Sequence, residues 1–82
     1  MTTLNPAKPE YFDYPAVAAE AGILPDQLAV IERAAAADYP GDKMMFELRM
    51  LRTCNAIKAG SVAASVVVYE CLAALANLNK AA

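Results

Sequence analysis

Between Val62 and Leu78 the chain carries a single charge, Glu70. A segment that is apolar on every side has two outcomes: enclosure by other protein, or exposure to lipid. The run is barely long enough to span a bilayer, and a carboxylate near its middle would cost about 2.5–3.5 kcal/mol there. We therefore expect no membrane span. The alanines and leucines flanking the run favour helix, so we read a helix from Ser61 as N-cap to about Asn79. Ser65-Val66-Val67-Val68-Tyr69 is β-branched enough to make a short strand on its own, and its flanks outweigh it.

What encloses this helix has to come from the rest of an 82-residue chain, which has room for one domain. Residues 1–14 hold Pro6 and Pro9, which remove backbone donors and disfavour helix before them, so they read as an extended N-terminal arm. Residues 15–82 read as a single helical domain. Its first helix runs about Pro15–Ala21 and ends at Gly22, with Ile23 folding back. The second runs about Pro25–Asp38, with Leu28, Ile31 and Ala35 at helical spacing. Asp38-Tyr39-Pro40-Gly41-Asp42 breaks the chain, and a third helix runs about Asp42–Ala59 up to Gly60. On that helix Phe46, Met50, Cys54 and Ile57 form one apolar strip, and Met44, Leu48 and Leu51 a second. The expected fold is all-α, a compact bundle of about four helices with the arm in front.

Two of the other three helices are short and Ala-rich, too little to cover the fourth. Composition agrees: 59% of residues are apolar, against roughly 45–50% in an ordinary soluble domain, and a chain this short hides a smaller share of its surface. We expect a second copy to complete the core, giving a homo-oligomer with a dimer favoured. The interface would use Val62, Val66, Val67, Tyr69, Leu72 and Leu75, and the small residues Ala63, Ala64, Ala73, Ala74 and Ala76 would let helices approach closely.

The absent residue types narrow the function. There is no histidine, the commonest general base and metal ligand. Cys54 and Cys71 are isolated and read as buried, reduced thiols of a cytoplasmic protein, with no secretory signal in Met1–Tyr14. Gly22, Gly41 and Gly60 lie too far apart for a phosphate loop. No metal, no cofactor and no enzymatic activity are expected.

Val17 to Arg33 reads VAAEAGILPDQLAVIER. Ala18 in the first helix, Gly22 at the turn, Ile23 after it, and Leu28 and Ile31 in the second helix resemble the helix-turn-helix of repressor-type DNA-binding proteins. That resemblance implies a DNA-binding regulator with Leu24, Pro25, Asp26, Gln27 and Val30 toward the major groove. Charge disfavours DNA as the partner. The net charge is −2 with a pI near 4.9, and no Lys or Arg of the segment precedes Arg33.

Arg49 and Arg52 share a face of the third helix one turn apart. They read as a solvated face paired with acids such as Glu32, or as a site for an anion or an acidic partner. Glu47 lies between the two apolar strips and Glu70 within the fourth helix. Such carboxylates need partners, and Lys43, Lys58 or an arginine of a second subunit would serve. Tyr11, Phe12 and Tyr14 either staple the arm to the body or anchor a partner.

The reading that follows is a non-enzymatic, self-associating protein–protein interaction module, with Tyr11, Phe12, Tyr14, Arg49 and Arg52 as partner-binding residues. It would act as an adaptor, an assembly subunit or a small inhibitor of another protein, as phage-encoded chains of this size do. A DNA-binding regulator and a small-anion or nucleotide binder at a subunit interface are the alternatives.

Overall fold

Each helix boundary is set by local chemistry. The computed structural model describes residues 9–81, with side chains to Leu78, and contains four helices and no strand among them. The first eight residues of the expected arm, Pro6 included, lie outside the described residues. Helix α1 is Tyr14–Glu20, α2 Pro25–Asp38, α3 Lys43–Lys58 and α4 Ala64–Ala81.

Prolines open α1 and α2 within their first turn, where the missing N–H costs nothing. At α2 the Gln27 side-chain carbonyl also accepts the Leu24 N–H at 2.9 Å. The Asp42 carboxylate caps α3 by accepting the Met45 N–H at 3.1 Å.

Two helices end in the same six-residue motif. At α1, Gly22 donates to Ala19 at 3.1 Å and Ile23 to Ala18 at 3.0 Å. At α3, Gly60 donates to Ile57 and Ser61 to Ala56, both at 3.0 Å. Both glycines take the left-handed φ this closure requires, 77° and 82°. The second closure corrects the expected start of α4. Ser61 gives its N–H to the end of α3, and it lies two residues before Ala63, which directly precedes α4, so it does not cap α4. The next helix begins three residues later, where the Ala63 carbonyl accepts from Val66 and Val67.

Helix α2 is the middle of the fold, with α3 and α4 packed on it and α1 packed on α3. Tyr14, Ala18, Ile23, Ile31, Ala34, Ala35, Met50, Cys54 and Cys71 form the buried core. The Tyr14 ring meets Phe46 edge-on, centroids 6.0 Å apart at 88°, and its hydroxyl donates to Glu32 at 2.6 Å. Among the described side chains of α4, only Cys71 belongs to the buried core. One strip of α4 rests on its neighbours and the rest of its circumference is open.

Candidate functional site

The inward strip of α4 is Ala64, Val67, Val68, Cys71 and Leu75, which pack against the core. At 100° per residue, Ser65, Val66, Tyr69, Leu72, Ala73 and Ala76 fall on the other side, and all six are exposed. Tyr69 is 74% exposed, Leu72 48% and Val66 46%. Large apolar side chains at i, i+3 and i+6 with no charge between Val66 and Tyr69 are unusual on a solvated helix face.

The helical period divides the six residues expected at an oligomer interface. Val66, Tyr69 and Leu72 are on the open face. Val67 and Leu75 are turned inward and half-buried, packed against the core on one side and lining a groove beside α4 on the other. Val62 precedes the helix and is half-buried. The sequence could not make this division, because nearly every position of α4 is apolar.

Beside the open face lies a groove of about 500 Å³ between α2, α3 and α4. Its lining is largely apolar, with Ala34, Val62, Val67, Cys71, Ala74 and Leu75 among it. The charges in it are Arg49 and Arg52 from α3, Asp38 from α2 and Glu70 from α4. Arg49 is ion-paired with Asp38. Glu32, the expected acid for the arginines, is engaged instead by the Tyr14 hydroxyl. Arg52 and Glu70 both line the groove, yet neither holds an ion pair or a side-chain hydrogen bond among the described residues. Glu70 is exposed, so the expectation of a carboxylate hemmed in by apolar neighbours is corrected there. Burial pushes the Cys71 thiol up, partly countered by the charge of Arg49.

The aromatic trio expected to meet a partner is also divided. Tyr11 is exposed, Phe12 is half-buried, and Tyr14 is 1% exposed in the core. Tyr14 is therefore corrected from a partner-binding residue to a core residue. What fastens the described part of the arm is Glu47, itself 1% exposed. Its carboxylate accepts the backbone N–H groups of Glu10 at 2.8 Å, Tyr11 at 2.6 Å and Phe12 at 2.9 Å. Three successive amides around one anion form a concave donor nest. Burial alone would raise the Glu47 pKa. The amides of Glu10, Phe12 and Tyr11, with Lys43 at 3.9 Å, outweigh it and hold the carboxyl below the usual range. The expected lysine contact is present, but the main partners are backbone donors of the arm. A signal for them existed: a proline-containing segment with no secondary structure needs acceptors for its remaining amides.

In the segment from Val17 to Arg33, the turn at Gly22 joins α1 to α2, and Ala18, Ile23 and Ile31 are buried. Leu24, Pro25 and Asp26 are exposed at the start of α2, and Gln27 and Val30 are half-buried. Cys54 and Cys71 are free thiols, and burial pushes Cys54 up to about 11. Among the described residues no cluster of Cys, Asp and Glu could hold a metal ion. No described helix is long and apolar enough to cross a membrane.

Comparison with protein-family models, with curated proteins and with solved structures finds no match for this chain.

Proposed function

We propose that this protein is a non-enzymatic interaction module that self-associates through the open face of α4. It serves as an adaptor, an assembly subunit or a small inhibitor of another protein. One observation carries the reading. Val66, Tyr69 and Leu72 are exposed together on a helix whose main support is α2 alone. Solvating that face costs about 25 cal/mol per Å² of apolar surface, and a second copy would remove it from water. Alanines 73 and 76, on the same side, permit close helix approach. Tyr11, exposed on the described part of the arm, is left for a different protein partner. Two free, buried thiols suit the reducing cytoplasm, where we place the protein.

Light scattering coupled to size-exclusion chromatography tests this on the wild type and on Tyr69→Glu with Leu72→Glu. The proposal requires a dimer or larger wild type and a folded, monomeric variant. Equal masses for the two proteins would refute it.

A further inference from the structure

Arg52 and Glu70 are opposite charges lining one groove, from α3 and α4 respectively, and the single chain pairs neither. The neighbouring arginine is already neutralised, because Arg49 is bound to Asp38. That leaves Arg52 as the groove's available cation and Glu70 as its available anion. A two-fold axis makes such an arrangement self-complementary: where one residue meets its counterpart across the axis, the counterpart is met in return. The apolar lining between them includes Val67, Ala74 and Leu75, and Val66 and Ala73 at the edge of the open face adjoin Glu70 around α4. Around α4, Glu70 lies within 40° of Val66 and 60° of Ala73 at 100° per residue, so small or apolar side chains flank it.

We propose that a second copy of this chain seats over the groove between α3 and α4, with Arg52 of each copy ion-paired to Glu70 of the other. This rests on the self-association reading above and gives it an orientation. An arginine–carboxylate pair has a preferred fork geometry, so two such pairs fix register where an apolar face alone would allow sliding. Arg33 offers the competing pairing. It too lacks an ion pair, and it lies on the other flank of α4 beside Leu72 and Ala76. The groove favours Arg52 because only Arg52 shares it with Glu70.

The experiment is a charge swap in full-length protein, read by native mass spectrometry and light scattering. Arg52→Glu and Glu70→Arg are prepared separately, then mixed in equal amounts. Each alone places like charges across the axis twice, and its dimer weakens by about tenfold or more. In the mixture both contacts become attractive, so the heterodimer dominates over either homodimer. A pairing inside one chain would give no such preference. Recovery of the dimer on mixing also establishes that both variants are folded.

If the wild type dimerises but the single variants dimerise as well as it does, the Arg52–Glu70 pairing is wrong and self-association stands. If Glu70→Arg mates with Arg33→Glu and not with Arg52→Glu, the pairing is equally overturned. A wild type that stays monomeric removes the self-association reading and this orientation together.

Discussion

The Tyr14 hydroxyl donates a 2.6 Å hydrogen bond to the Glu32 carboxylate, tying the first residue of α1 to the middle of α2. The rest of the Tyr14 side chain is sealed in the core against Phe46. Tyr14→Phe keeps the ring packing and removes one charge-assisted bond. It should lower stability by about 1–2 kcal/mol, measured by urea unfolding. Tyr14→Ala also loses the ring, and about 3–5 kcal/mol is expected.

The alkaline limb of stability follows from burial. Tyr14 is pushed up by burial first and by Glu32 second, and Cys54 by burial to about 11. A raised folded value means the neutral form is favoured by folding. The stability it confers is complete below the unfolded value, about 8.5 for a thiol, and is lost as pH rises through the folded value. Thermal stability should therefore fall progressively above about pH 9, and Cys54→Ala should remove the thiol's part of that slope.

Glu47 sets the acid limb with the opposite sign. Its folded value is lowered, so its contribution is complete above the unfolded value of about 4.3 and disappears as pH falls through the folded one. Fluorescence of Tyr11 and amide exchange at Glu10–Phe12 should report release of this segment on acidification. Glu47→Gln keeps an acceptor oxygen but loses the charge. It should cost about 1–2 kcal/mol at neutral pH and flatten the acid dependence. An unchanged acid profile would show that the clamp contributes nothing.

Ser61 closes α3, and the closure depends on Gly60 at φ 82°. Space is open around the position where a Cβ would stand, so the cost of Gly60→Ala is backbone strain alone. About 1–2 kcal/mol is expected, visible as a lower urea midpoint with an unchanged slope.

The turn chemistry made the helices legible in the sequence. Proline at the start of α2 and the break at Pro40-Gly41 placed α2 at Pro25–Asp38, and the first and third helices within a residue at each end. The start of α4 was misread because a serine after a glycine serves equally as an N-cap or as the closing residue of the preceding helix. Only the α3 hydrogen bonds decide between them. The six interface residues are chosen by apolar type, which α4 carries on its inward and outward sides alike, so type alone does not separate Val67 and Leu75 from Val66, Tyr69 and Leu72. The placement of Tyr14 and the donors to Glu47 depend on contacts between residues far apart in the chain, which local pattern does not contain.

That division of α4 makes a direct contrast. Val67→Glu puts a carboxylate into the inward strip and should lower stability by about 1–3 kcal/mol. Tyr69→Glu places it on the open face and should leave the melting temperature of the monomer nearly unchanged while weakening association.

The most direct measurement is amide hydrogen exchange of α4 as a function of protein concentration. A helix supported mainly by α2 should open easily in dilute protein, and its protection should rise toward that of α2 and α3 as the dimer forms. Protection of α4 that is already equal to theirs in dilute protein, and does not change with concentration, would contradict the account.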